Sequence, residues 1–351
     1  QDQGGDRESD INGFEIKLGI TQPIDVSGRF GLRERREILS CELRRANLER
    51  DQNNLLAEAE TTYWSAVIAA ENVALQRDVL QRRMENKRIA NEKYRMKIAP
   101  KLDPIRAEAQ VMAAKALVAE AEAERLDMLA AMASLTGGIE AEPTEKSVAA
   151  LSPDTYQPSD ISTDKNPEVY AGHLAVELAA IEKKLAAKEN TPSVEASVNW
   201  IPFASSSSGS PERGEMEASI RFDIPLLDGG AAKNKISSAE TLAESAAASL
   251  RHIENRARYE AATAKNAWNR AVALERAKRS EMEMSNEELR ITELMYREGM
   301  GAQIDLINAE IENHKVSAEY LDAVKNMYIS MIQIRRINGD YAEKWPLPWE
   351  M

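Results

Sequence analysis

The stretch YRMKIAPKLDPIRAEAQ, residues 94–110, recurs as YREGMGAQIDLINAEIE, residues 296–312. Tyr94-Arg95 meets Tyr296-Arg297, Asp103 meets Asp305, and Ala107-Glu108 meets Ala309-Glu310, each 202 positions on. The correspondence extends outward without a gap, from residues 14–138 to residues 216–340. Pro23 meets Pro225, Gly28 meets Gly230 and Gly137 meets Gly339 at that same spacing. The identities are few, but they fall at punctuation: a strand end, a turn between helices, a helix stop. A unit repeated at one spacing calls for one structure built twice.

Upstream of each quoted stretch lies a long segment free of Gly and Pro. From about Gly31 to Lys97 this is about 67 residues, or about 100 Å of helix at about 1.5 Å per residue. Leu56, Ala59, Tyr63, Ala66, Ala70, Val73, Leu80 and Met84 recur at spacings of three, four or seven and predict a coiled-coil seam. Ala231 to Glu298 is the second long helix. Each stops at a short turn, Ile98-Ala99-Pro100-Lys101 in the first copy and Gly299-Met300-Gly301-Ala302 in the second. Return helices follow over Asp103–Thr136 and Gln303–Asn338, and each ends at a glycine, Gly137 or Gly339. The two units are therefore antiparallel hairpins with unequal arms.

Each unit is launched from a strand. Phe14, Ile16, Leu18 and Ile20 alternate with Glu15, Lys17 and Gly19. Met216, Ala218, Ile220, Phe222 and Ile224 alternate with Glu217, Ser219, Arg221 and Asp223. A third alternating segment runs Val194 to Trp200. Period two predicts strands with one apolar and one polar face. Pro23 and Pro225 are expected to end their strands, because proline cannot donate to the ladder. Ala204 to Gly214, with Ser205–Ser208 and Pro211, reads as a hairpin loop. A helix starts at Asn166-Pro167-Glu168, with Asn as cap and Pro in the first turn, and runs to about Asn190.

Three strands are too few to stand alone. Their alternation fits barrel strands with an apolar face to lipid and a polar face to an aqueous lumen, Trp200 and Phe203 marking an interface. A lipid-embedded sheet cannot keep open edges, so such a chain closes its barrel by oligomerising. A small soluble sheet covered by a helix face explains the alternation equally well.

Composition narrows the function. Charged residues make up 29% and aromatics 5%, the profile of long packed helices rather than a thick core. A net charge of −13 argues against nucleic acid as a partner. No apolar run is long enough for a transmembrane helix, and no signal peptide is visible. The single cysteine, Cys41, rules out a disulfide framework within the chain. His173, His252 and His314 lack metal-ligand spacing, and there is no glycine-rich phosphate loop or Ser/His/Asp grouping. No catalytic centre, metal site or cofactor is expected. Pairs such as Glu287-Glu288 read as solvated helix faces.

The strand-to-helix joins GITQPIDVSGRFGLR (19–33) and FDIPLLDGGAAKNK (222–235), the two turn segments quoted first, and the stops LTGG (135–138) and INGD (337–340) together resemble the TolC family of outer-membrane efflux proteins. The resemblance covers about residues 14–340, and the first join looks most similar to the branch serving heavy-metal efflux pumps. It implies a mostly α fold with a small β part: long hairpins forming an α-barrel across the periplasm, and strands of a trimeric transmembrane β-barrel. By this reading 1–13 is a polar tail or extracellular loop and 14–138 the first repeat. Residues 139–166 are an equatorial insert, 167–203 a short helix and strand, and 204–214 an extracellular loop. Residues 215–340 are the second repeat and 341–351 an extended tail. The family has helices and a first strand ahead of the segment that opens this sequence, so the resemblance predicts an N-terminal piece beyond it. Family members also carry a signal peptide, some with a lipidated cysteine, for which Cys41 is no candidate.

The resemblance also implies a function: a passive exit duct of a tripartite efflux or type I secretion system. Its partners would be two further copies of the chain, a periplasmic adaptor, an inner-membrane pump and outer-membrane lipid. In the family the periplasmic end is closed by inward-coiled hairpins held by polar links. By position Asp305 falls on an aspartate lining the constriction, Asn308 on its acidic companion, Asp103 on the gate aspartate of the first hairpin and Tyr296 on the gate tyrosine. The arginine position in the turn is Gly301, leaving Arg106, Arg95 or Lys101 to substitute. Asp103 also reads as an N-cap, since Pro104 follows. The turns Ile98, Ala99, Pro100, Lys101 and Gly299, Met300, Gly301, Ala302 would meet the adaptor. The competing reading is a soluble periplasmic hairpin adaptor or spacer. An adaptor needs one hairpin flanked by halves of a lipoyl-like domain, whereas this chain has two hairpins.

Overall fold

The computed structural model describes residues 15–139, 142–144, 161–163, 165–204 and 215–341, with the side chains of 15, 16, 201–204 and 215 left aside. The order is β1 (Glu15–Ile24), α1 (Arg29–Arg95), α2 (Leu102–Leu135), α3 (Pro167–Lys188), β2 (Ser193–Ala204), β3 (Glu215–Asp223), α4 (Ala231–Arg297) and α5 (Gln303–Asn338). Phe14, the stretch 205–214 of the expected hairpin loop, most of the insert and the tail beyond Tyr341 fall outside the described residues. Tyr341 itself, expected in an extended tail, is helical and buried.

The repeat is geometric as well as textual. α1 and α4 are each 67 residues long, and their first and last residues match at the repeat spacing. Both begin because an aspartate takes their free N–H groups. Asp25 accepts from Arg29 N and Phe30 N, both at 2.9 Å, and Asp228 accepts from Gly230 N at 2.9 Å and Ala232 N at 2.8 Å. That cap starts α1 at Arg29, ahead of the expected Gly31. Both helices stop in one motif. Lys97 (φ 59°) and Gly299 (φ 78°) turn left-handed, and the next N–H reaches back five residues, Ile98 to Lys93 O at 3.0 Å and Met300 to Met295 O at 2.9 Å. The expected ends at Lys97 and Glu298 therefore retreat to Arg95 and Arg297. α5 stops at Gly339 (φ 74°), where a side chain would also press to 2.8 Å from Lys165 O.

One expectation fails on the sheet. β1 continues through Pro23 to Ile24, pairing Pro23 with Glu195. Among the described residues β1 is an edge strand, where the missing N–H costs no ladder bond. Pro225, by contrast, lies beyond the end of β3. β2 is also longer than expected and takes in Ala204.

The chain divides into two compact units. The first holds the sheet, of order β1-β2-β3 and antiparallel throughout. Its register aligns like with like. Leu18, Trp200 and Met216 share one row, and Ile20, Val198 and Ala218 another. The opposite face is polar: Lys17 pairs with Glu217 at 3.6 Å, and the Ser197 and Ser219 hydroxyls share a hydrogen bond of 2.8 Å. Asn199 lies over Gly19, where an added Cβ would stand 2.3 Å from its Oδ1.

The second unit holds a long helical core. Trp268, Val324, Met327, Tyr328, Met331, Ile332 and Ile334 are its centre, and Trp64 stacks on Tyr328 with ring centroids 4.2 Å apart. Arg335 closes one side on Glu60 at 2.7 Å, a carboxylate also taken by the Tyr341 hydroxyl at 2.5 Å. The seam of α1 departs from its expected course toward the tip. Beyond Val73 the buried positions are Gln76, Val79, Arg83 and Ala90, while Leu80 is only half-buried and Met84 is exposed. The polar side chains that the apolar pattern skips are the ones that turn inward.

Candidate functional site

Two surfaces carry the candidate functional residues. The first is the sheet. Leu18, Ile20, Trp200, Met216, Ile220 and Phe222 stand on its apolar face, each at least half exposed. Leaving such side chains in water forgoes on the order of 1.5–3 kcal/mol apiece. A face like this needs lipid or protein against it. Leu226 and Leu227 extend the exposed apolar surface past the end of β3.

The second surface is the pair of hairpin ends, which lie within one unit. Ile98 and Met300, equivalent positions in the two turns, are each about two-thirds exposed. One step into the return helices, the equivalent pair Leu102 and Ile304 is also exposed. Ala99 and Gly301 are half-buried, and Pro100, Lys101, Gly299 and Ala302 are exposed. Asp305 and Asn308 are exposed on one side of α5, with Asp305 in its first turn. Asp103 is not the cap of α2. That position belongs to Lys101, which makes no side-chain capping bond, and Asp103 sits inside the first turn, where a carboxylate still suits the helix dipole.

The structure brings Asp103 and Tyr296 together. Tyr296 is buried, and burial first, then the Asp103 carboxylate, pushes its phenol above the ordinary range. Gln303 ties the hairpins by donating to Asp103 O at 2.9 Å. The cation at this junction is Lys93, whose ammonium lies 3.9 Å above the centre of the Tyr296 ring and donates to Tyr296 O. Arg95, Lys101 and Arg106, the expected substitutes, are exposed and take no part in it.

Further from the turns lies a contact that sequence reasoning missed. Arg83 of α1 and Glu310 of α5 face each other, Nε to Oε2 3.8 Å, both side chains under a tenth exposed. Asn86 donates to Glu310, and Arg83 reaches Gln110 O at 3.3 Å. Burial raises the Glu310 carboxyl above its ordinary value, with Arg83 and Asn86 opposing, and lowers the Arg83 guanidinium. Arg83, Tyr296 and Gln303 line a cavity of about 10 Å³, and each carries a buried polar atom with no hydrogen-bond partner. The space is about that of one water molecule. One signal was available: Glu310 is one of the few residues kept identical between the copies.

The outer membrane efflux protein family model matches residues 2–138 and 160–340. The chain belongs to the outer membrane efflux protein family. Nodulation protein T of Rhizobium leguminosarum bv. viciae is 22% identical over 355 residues, spanning 97% of this chain and 72% of that protein. Among solved structures, CusC superposes with a TM-score of 0.82 at 14% identity, over 93% of this chain and 77% of that one. The Neisseria gonorrhoeae outer membrane channel MtrE, in its open state, gives 0.78 at 19% identity, over 93% and 80%. The fold is thus that of the TolC-like α-barrel channels, and the two-fold repeat fits the family. This efflux-family protein sits in the Gram-negative outer membrane and extends into the periplasm. Among its described residues no group of His, Cys, Asp and Glu could hold a metal ion, and no helix is long and apolar enough to cross a membrane.

Proposed function

We propose that this chain is one third of a passive exit duct of a tripartite efflux assembly, closing its barrel with two further copies. The observation that carries this is the sheet: an apolar face aligned row by row, exposed, and bounded among the described residues by the edge strands β1 and β3. Edges of that kind are not tolerated in lipid, so further strands, of this protein or of neighbouring copies, must pair with them. Energy would come from an inner-membrane pump through a periplasmic adaptor seated on the two turns, Ile98–Lys101 and Gly299–Ala302. The exposed pairs Ile98/Met300 and Leu102/Ile304 offer it apolar anchors. The protein would be extracted from an outer-membrane fraction only with detergent, as a trimer by mass that conducts ions in planar bilayers. A monodisperse, detergent-free monomer of the intact protein would overturn the reading.

Asp305, Asn308, Asp103 and Tyr296 form the proposed constriction. Three copies of an exposed Asp305 around a narrow pore would concentrate cations and repel anions. Asp305→Asn should weaken block of the single-channel current by divalent cations; unchanged block and selectivity would remove Asp305 from the gate. Metal ions are the first cargo to test, because the join at 19–33 resembles the metal-pump branch.

A further inference from the structure

At the start of α1 the charge balance reverses. The chain as a whole has 58 acidic and 45 basic residues. Yet α1 opens with Arg29, Arg33, Arg35 and Arg36. Arg29, Arg33 and Arg36 line a groove of about 430 Å³ together with Lys235 of α4, against only two carboxylates, Glu182 of α3 and Glu189 just past its end. Both carboxylates are engaged: Glu189 holds Lys235 at 2.5 Å and Glu182 stands 3.8 Å from Arg36. Among the described residues Arg29 makes one side-chain bond, from Nε to Ser27 Oγ at 3.0 Å. Arg33 has no ion pair or hydrogen bond among the described residues. Two guanidiniums with donors to spare thus stand one helical turn apart on the wall of one groove.

The neighbouring cavity shows which side of the sheet this groove serves. It shares Arg29, Glu189 and Lys235 with the groove and continues to Ser193 and Asp223. Ser193 and Asp223 pair in the register row next to Val194 and Phe222, so they stand on the polar face, opposite the apolar side chains. Asp223 and Asp228 make that end acidic and confine an anion to the arginine end. Asp228 is already committed to the N–H groups of α4.

We propose that Arg29 and Arg33, with Arg36 and Lys235 beside them, form a binding subsite for a soluble multivalent anion, a phosphate- or carboxylate-bearing solute, on the aqueous side of the sheet. A guanidinium fork matches two oxygens of such a group, and two forks suit a dianion. Lipid headgroups share the chemistry, but they would flank the ends of the apolar face, whereas the cavity that joins this groove opens on the polar one. That the subsite lines an export lumen rests on the duct reading; the subsite itself does not.

The test is titration calorimetry of the full chain in neutral detergent with pyrophosphate at low salt, with chloride at matched ionic strength as control. Pyrophosphate should bind the unaltered protein, weaken with added salt, and lose at least tenfold in affinity in Arg29→Gln/Arg33→Gln. Glu182→Gln, which removes a competing carboxylate from beside Arg36 and leaves Arg29 and Arg33 as they are, should tighten binding several-fold. Equal binding by the unaltered, double-arginine and Glu182→Gln proteins overturns the subsite. So does loss of pyrophosphate binding in nanodiscs containing phosphatidylglycerol but not phosphatidylcholine, which would assign the groove to lipid. Bilayer recordings keep the two ideas apart: pyrophosphate binding without any conductance would sink the duct and leave the subsite standing.

Discussion

Glu108 and Glu310 hold the same position in the two copies and live in opposite surroundings. Glu108 is exposed and pairs with Lys87 of its own hairpin. Glu310 is buried and faces Arg83 of the other hairpin. The partners explain the difference. The position equivalent to Lys87 is Leu289, buried, and the position equivalent to Arg83 is Ser285, which accepts from Asn313 at 3.1 Å. The second hairpin keeps its acid but has no cation of its own for it, so the acid bonds across to the first. A buried pair of this kind is expensive to desolvate and more expensive to break. It specifies which helices meet better than it stabilises them.

That contrast is open to attack. Glu310→Ala leaves the Arg83 guanidinium buried without its counter-ion and should cost about 3 kcal/mol in thermal or denaturant unfolding. A cost below about 1 kcal/mol would show that water already compensates the pair. The turns offer a middle-sized comparison. Gly299→Ala imposes a Cβ on a left-handed residue and should cost about 1 kcal/mol. Lys97→Gly relieves the same conformation in the first turn, and should be neutral or raise the melting temperature slightly; a clear loss would mean that the Lys97 side chain holds the turn. Glu108→Ala removes a solvent-screened pair and should cost less than about 0.5 kcal/mol.

The smallest effect concerns pH. Desolvation raises the Asp25 carboxyl, and the N–H groups of Phe30, Arg29, Ser27 and Gly28 together outweigh it, so the net shift is downward from 3.8. The N–H groups of Ala232 and Gly230 lower Asp228 likewise. A depressed folded value means that the caps contribute fully above the unfolded value and fade as pH falls below about 3.8 toward the folded ones. The helix starts should fray in that acid window, as followed by amide exchange at Phe30 and Ala232. In Asp228→Asn the fraying at Ala232 should lose its pH dependence while that at Phe30 keeps it.

Much of the fold was legible. The paired turns, the glycines at Gly137 and Gly339 and the Gly- and Pro-free runs mark helices because backbone punctuation is local chemistry. The aspartate caps were hidden by the repeat itself: Asp25 and Asp228 stand one position off the common spacing, so alignment passed over them. The exposed Asp305 and Asn308 could be located by position alone. Lys93, Gln303 and Arg83 could not, since each acts on a residue more than 190 positions away.

By itself the sequence determined that one unit of strand, long helix, tight turn and return helix is built twice, and that its strands have two unlike faces. Periodicity, proline and glycine act within a few residues and are read without a partner. Only the tertiary structure decided which equivalent side chains are buried. It turned Glu310 inward and left Glu108 in water, carried β1 past Pro23 on a free edge, and moved the seam of α1 from Leu80 and Met84 to Gln76, Val79 and Arg83. Burial depends on what the facing helix supplies, and no rule of spacing along one chain segment contains its partner.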